Sequence, residues 1–350
     1  MSNASHLQLA QEYPPPGEEA DIKRVIEIIL EKYKLENKPG VAGRDAHPKA
    51  HGTVKGEFIV HDNLPEKCRH GVFKEARTFP AFIRFSAAFF RPQPDKTRDA
   101  HGMAIKLMGV EGEKLLEEEK HEQTQDFLMA NIQGFFVRNV KQYIALSEAL
   151  LKKDSFVPFF FPSWNPFKWR PYQFWRGMLA LWTRVYNPLQ IQYWSQAPYR
   201  LGPHAIKFSA RSRMPKTDTK PVSDHEHFLT EAMAQQLKRE DVSFDFMVQF
   251  QTDPVKMPIE DPVVLWDEDE SPYITVATVH IPQQEFTSPQ KMEYAEHISF
   301  APWHALPEHR PLGGLNRARR VAYETISKLR HQMNTAPRRE PTGFEEFESS

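Results

Sequence analysis

The chain has 350 residues, 45 basic and 46 acidic, with a formal net charge of −1. This balance excludes nucleic-acid binding by bulk charge, while the length suffices for one large domain or two ordinary ones. The single cysteine, Cys68, excludes an intrachain disulfide, reads as an incidental thiol and suits a reducing compartment. Residues 1–16 end in Pro14-Pro15-Pro16 and are expected to form a mobile arm. They show neither a basic nor an apolar leader region, so a cytoplasmic location is expected. No uninterrupted apolar stretch reaches the roughly 18 residues of a spanning helix.

From Ile22 to Tyr33 apolar side chains recur at helical spacing, which predicts a helix over 18–36 inside an N-terminal helical region, 17–40. Runs of period two or continuous apolar character follow at Val54–Val60, Ala81–Phe85, Met103–Met108, Gly134–Val137, Ala205–Arg211, Phe244–Gln251 and Tyr273–His280. Short strands at these intervals predict a mostly antiparallel barrel or sandwich. Helices are expected at Val140–Lys152, Asp224–Arg239 and Leu315–His331, the second opened by a capping box of Ser223 and Glu226. Fourteen aromatic residues lie between Phe156 and Trp194, interleaved with Lys168, Arg170, Arg176 and Arg184. This segment reads either as a Pro-broken connection packed over the barrel or as a surface for an amphiphilic ligand or membrane interface. The segment after residue 335 is expected to be disordered.

Chemistry concentrates in a few places. Arg319, Tyr323 and Arg330 share one helical face. A guanidinium that reaches a phenol oxygen favours the phenolate, tyrosinate is an axial ligand of haem, and a second arginine suits a propionate. Taken alone, the helix is more simply an amphipathic element with a half-buried Tyr. Upstream, His47 follows Arg44, and a histidine can carry a proton between the two oxygens of a peroxide. Arg84-Phe85-Ser86 supplies a hydroxyl that can orient an imidazole and a further propionate partner. Asn131 can hydrogen-bond a bound peroxide, and Phe135-Phe136 offers apolar surface to a porphyrin. A zinc reading of His47 with His51 fails because Pro48 and Gly52 break the helix it needs, and His225 and His227 point to different helix faces. His304 and His309 read as a loop leading into the last helix.

Five segments in order resemble the haem catalases, and more closely their short relatives acting on organic and fatty-acid hydroperoxides. They are Arg44-Asp-Ala-His47-Pro-Lys-Ala with Gly56-Glu-Phe58 behind it, Arg84-Phe85-Ser86, Arg98-Asp99 through Lys106, Asn131 before Phe135-Phe136-Val137-Arg138, and Arg319 with Tyr323 and Arg330. The resemblance implies an α+β fold with a catalase-like antiparallel β-barrel, surrounding helices and a C-terminal proximal haem-ligand helix. It implies one haem domain, 17–335, with a distal-side barrel half at 41–140, an aromatic connection at 150–200, a proximal helix at 310–333 and a tail at 336–350.

By the same resemblance His47 is the distal acid/base, Ser86 its orienter and Asn131 the distal amide. Tyr323 is the iron ligand of haem b, Arg319 sits on its phenolate, Arg44, Arg84 and Arg330 anchor propionates, and Phe136 lies against the porphyrin. The implied function is cleavage of the O–O bond of hydroperoxides through a ferryl species. A small true catalase is the alternative, and a haem carrier without turnover the third reading.

Departures refine this. Catalases of full length have arms and a C-terminal region for which this chain has no room, so NADPH is not expected and a homodimer or other homo-oligomer is. Pro48 and Ala50 re-aim the distal loop, and Ala46 places no hydroxyl beside His47, which disfavours allene oxide synthesis. The aromatic and cationic segment suggests a wide apolar entrance with positive charge for a carboxylate, and a weak contact of 156–194 with a membrane surface.

Overall fold

The alternating segments close a barrel. A computed structural model describes residues 7–40, 42–89, 91–153, 155–182, 184–216, 226–335 and 340–349. Its strands are β1 (Ala50–Val60), β2 (Thr78–Ala87), β3 (His101–Met108), β4 (Thr124–Ala130), β5 (Gln192–Trp194), β6 (Tyr199–Leu201), β7 (His204–Ser212), β8 (Val242–Phe250) and β9 (Ile274–Ile281). They pair in the order β5-β4-β3-β2-β1-β9-β8-β7, and β5 pairs again with β7, so eight strands form an antiparallel ring while β6 adds a hairpin to β7. Closure removes free edges.

Phenylalanines fill the interior. Phe58 and Phe127 each lie 5.0 Å from Phe246 between ring centroids, and Phe127 lies 5.3 Å from Phe208. Each such ring buried contributes roughly 1.5–3 kcal/mol, and a barrel filled in this way leaves no lumen for a ligand. The functional surface must lie outside.

Around the barrel run α1 (Glu18–Glu36), α2 (Val140–Lys153), α3 (Val157–Phe160), α4 (Pro171–Trp182), α5 (Phe228–Leu237), α6 (Pro289–His297), α7 (Gly314–Asn334) and α8 (Glu345–Glu348). Val25, Ile26 and Ile29 of α1 bury their apolar stripe with Ala322 of α7, so the first helix supports the last. No described helix is long and apolar enough to cross a membrane.

Four expectations need correction or restriction. Gly134–Val137 is not a strand, and β4 at Thr124–Ala130 takes its place in the sheet. Residues 1–16 are not a mobile arm throughout. Ala10 is buried, and the Glu12 carboxylate pairs with Arg310 and Arg317 while accepting the Gly313 N–H at 2.8 Å. Glu12 and Glu260, the latter accepting from Gly314 N at 2.9 Å, thus place negative charge at the amino end of α7, where the helix dipole favours it. Nor is residue 340 onward unstructured, since Glu340 reaches Lys106 at 2.6 Å and Phe347 is fully buried. Ser223 and His225 lie outside the described residues.

Candidate functional site

Strand register builds the floor of one cavity. Arg84 pairs with Ala104 and Ala104 with Leu128, while Ser86 pairs with Gly102 and Gly102 with Ala130. With a side-chain period of two, these two rows face the same way across β2, β3 and β4, and all six residues line the cavity. Gly102, Ala104 and Ala130 keep the floor low. A Cβ on Gly102 would stand 2.6 Å from His47 Nδ1 and 2.9 Å from Ser86 Oγ, so only glycine allows the imidazole to lie there.

His47 reaches this floor from the loop before β1. Its φ of 56° is left-handed, a conformation that histidine tolerates better than most residues, and the Arg84 guanidinium donates to its carbonyl at 2.9 Å. The β1–β2 register slips between Ala50 and Gly52, so His51 is the extra residue of a bulge that bends the strand under this loop. His47 Nδ1 lies 3.1 Å from Ser86 Oγ. Burial, then the positive charges of Arg84 and Arg319, lower the His47 pKa to about 3, so the imidazole is neutral near pH 7.

α7 forms the facing wall. Arg319, Tyr323 and Arg330 all line the cavity, as their spacing of four and seven predicts. Arg319 donates to the Tyr323 hydroxyl at 3.5 Å, the outer limit of a hydrogen bond, and to Asn316 Oδ1 at 3.1 Å. Burial opposes the Arg319 charge, but the phenol oxygens of Tyr323, Tyr199 and Tyr143 outweigh it and raise its pKa above the ordinary value.

A second cationic group lies at the edge of the cavity. Glu296 on α6 stands 3.4 Å from Arg44 and 4.0 Å from Arg84, and Arg330 adds a third guanidinium that acts on the same carboxylate. Arg44 also donates to the Ile298 and Glu296 carbonyls at 2.7 and 3.1 Å, at the carbonyl end of α6. Arg84 Nε is buried with no hydrogen-bond partner among the described residues. Burial and the charge of Arg44 lower the Arg84 pKa to about 9, with Glu296 opposing. The buried Arg84 Nε is still to be satisfied among the described residues, and guanidiniums gathered at one edge suit an anionic group, so the carboxylates of haem fit here.

Two expected site residues are elsewhere. Asn131 does not line the cavity. Its Oδ1 accepts the His101 N–H at 2.8 Å and its own N–H donates to the His101 carbonyl at 2.9 Å, closing the end of the β3–β4 pair beside Gly102. Phe136 stacks on Phe135, with ring centroids 5.5 Å apart and 3° between planes, and packs with Phe159 and Phe160. The aromatic cluster satisfies both rings better than an open cavity wall would. Conversely, Tyr143 of α2, Trp303 and Arg320 line the cavity without having been foreseen. Tyr143 is one residue among several apolar ones in an ordinary helical period, and the Arg320 guanidinium lies 5.2 Å from the Trp303 ring centroid only because chain folding joins them. Glu296, too, is an ordinary charge in a polar helix until the fold sets it among arginines.

Comparison with known proteins gives the same direction. The Catalase family model matches residues 26–155. No curated protein matches the chain. A fungal catalase structure is similar over 91% of this chain and 63% of its own, at 15% identity and a TM-score of 0.59. A bacterial catalase is similar over 92% and 62%, at 15% identity and a TM-score of 0.60. Catalase A from Saccharomyces cerevisiae is similar over 97% and 68%, at 16% identity and a TM-score of 0.60. The chain thus spans slightly less than two thirds of the fungal and bacterial catalases. The Catalase family model thus matches the stretch 26–155, and the chain shares the fold of these catalases over more than nine tenths of its length.

Proposed function

We propose that this chain binds haem b through Tyr323 and cleaves the O–O bond of hydroperoxides, with fatty-acid hydroperoxides as its substrate class. One observation carries the reading: a single cavity is lined by a buried neutral imidazole beside Ser86, by a phenol facing Arg319, and by the guanidiniums of Arg44, Arg84 and Arg330. Haem, when bound, supplies the redox-active iron at which the O–O bond opens. The remaining work falls to the chain. Arg319 stabilises negative charge on the Tyr323 oxygen, and Arg44, Arg84 and Arg330 hold the propionates.

His47 moves the proton. In the tautomer whose Nδ1–H donates to Ser86 Oγ, Nε2 carries the lone pair that accepts a proton. It takes the hydroperoxide proton and returns it to the alkyl-bearing oxygen, which departs as an alcohol. Because His47 is already neutral, the base needs no prior deprotonation at pH 7. Asn131, closing the strand pair next to Gly102, acts on this site by fixing the floor under the imidazole.

The fatty-acyl preference rests on the apolar part of the lining, Met103, Leu116, Leu128, Met129 and Phe300. Hydrogen peroxide needs no such lining. Purified holoprotein assayed side by side should turn over a polyunsaturated fatty-acid hydroperoxide with the higher kcat/KM, and much faster turnover of hydrogen peroxide would replace the reading with that of a small catalase. His47→Ala should keep haem and lose about 10²–10⁴-fold in cleavage rate, the usual share of a positioned acid/base. Undiminished cleavage would remove His47 from the mechanism.

A further inference from the structure

Seven of the eleven large apolar side chains exposed among the described residues fall within Val157–Leu179. The two most exposed, Trp164 at 98% and Phe167 at 96%, share one short loop between α3 and α4. Such exposure is costly in water, and the loop is built to maintain it. Pro162 and Pro166 restrict its backbone, Asn165 Oδ1 accepts the Phe167 N–H at 3.0 Å, and the Trp169 indole donates to the Ser163 carbonyl at 2.8 Å. The tip is a pre-formed wedge.

α4 continues the same surface. Tyr172, Trp175 and Leu179 recur at intervals of three and four, so they share one helix face, and they are 53%, 53% and 43% exposed. The opposite side holds buried Gln173, whose amide donates to Gln142 of α2 at 2.8 Å. An amphipathic helix with its apolar face outward, next to an aromatic wedge, has the geometry of an element lying in a lipid interface.

Charge selects the partner. No aspartate or glutamate occurs from residue 155 to residue 217, although 46 acidic residues over 350 would put about eight in that length. The same stretch carries nine lysines and arginines; those from Arg200 on belong to or follow the β6–β7 hairpin of the barrel, while Lys168 is exposed at the wedge beside Phe167. A second copy paired face to face would set this Lys168-bearing, acid-free wedge against itself. An anionic bilayer would not.

We infer that the wedge Trp164–Phe167 and the outer face of α4 dock this protein on anionic phospholipid surfaces, with the aromatic rings in the headgroup layer and the acid-free flank over the lipid charge. This inference is independent of the substrate proposed above.

The test uses the full-length holoprotein and sedimentation with vesicles of phosphatidylglycerol and phosphatidylcholine in equal parts, against phosphatidylcholine alone. Binding should favour the anionic vesicles and weaken with salt. Trp164→Ser with Phe167→Ser should lower partitioning at least about tenfold, and Lys168→Glu should lower it for anionic vesicles only. Both variants should retain haem content and turnover of a water-soluble hydroperoxide, which shows that the fold is intact. Wild-type protein that stays with the supernatant, or a double variant that binds like wild type, overturns the inference. So does concentration-dependent self-association that the double variant abolishes while vesicles are ignored, since the face would then pair copies of the chain.

Discussion

Two charge clusters lie on the outer face of the same barrel wall, one strand row apart, and their groups are partnered differently. In the first, Lys106 Nζ meets Asp126 at 2.8 Å and Glu340 at 2.6 Å, while His304 meets Asp126 at 2.9 Å and Glu119 at 3.0 Å. Every charge there faces an opposite one from another segment, and the group joins β3, β4 and the residue-340 segment. In the second, Arg44, Arg84 and Arg330 all act on the half-exposed carboxylate of Glu296, and Arg84 Nε is buried with no hydrogen-bond partner among the described residues. In the first cluster each ionisable group meets an opposite one supplied by another segment, although three carboxylates outnumber Lys106 and His304. In the second a buried donor on Arg84 is left for a ligand to satisfy.

The sharpest way to break this comparison is to remove one cation from each cluster. Lys106→Met strands Asp126 and Glu340 in a buried site, so unfolding in denaturant should show a loss of about 3–5 kcal/mol. Arg84→Met removes a cation that Arg44 already opposes, so apoprotein stability should change by less than about 1 kcal/mol. Haem affinity, measured by titration of the apoprotein, should instead fall roughly ten- to a hundredfold, the worth of a charge-assisted hydrogen bond. If Arg84→Met unfolds the protein and Lys106→Met merely weakens haem binding, the roles are reversed.

A smaller effect concerns pH. Burial lowers the pKa of His47 to about 3 and of His101 to about 4, below an unfolded value near 6.5. The unfolded chain therefore binds protons that the folded one refuses as pH drops below 6.5. Their contribution to stability is fully present above 6.5 and is lost on acidification toward pH 4, at up to about 1.4 kcal/mol per pH unit for each histidine. His304 has the opposite sign. Burial disfavours its charge but Asp126 and Glu119 prevail, its pKa is raised, and it contributes below 6.5 and fades as pH rises through its folded value. Denaturation of the apoprotein between pH 7 and 5 should show a net loss of stability on acidification, and a steeper one for His304→Gln. A net gain on acidification would mean that His47 and His101 are not held neutral.

The same contrast explains what could be read from the residues alone. The functional cluster is assembled from local signals: Arg44 with His47, Arg84 with Ser86, Arg319 with Tyr323 and Arg330, each set by a short spacing on one loop, strand or helix. The structural cluster is not. β4 was overlooked because Asp126 looks like a surface charge, and only pairing with Lys106 across the β3–β4 register makes it a buried strand residue. The segment around Glu340 and the residues around Glu12 look disordered from composition, since their anchors are arginines and a lysine more than 200 positions away. Phe136 packs with Phe135, Phe159 and Phe160, a grouping the sequence does not show because an apolar ring carries no mark of which surface it will find. Long-range pairing, rather than weak local propensity, separates the legible part of this molecule from the rest.

The central claim is that Tyr323 supplies the iron ligand of a haem held in this cavity. Apoprotein of the wild type and of Tyr323→Phe, each titrated with haem and followed by absorption, tests it most directly. The account predicts a tyrosinate-ligated ferric spectrum at one haem per chain for the wild type and its loss in the variant. An unchanged spectrum and stoichiometry in Tyr323→Phe would contradict it.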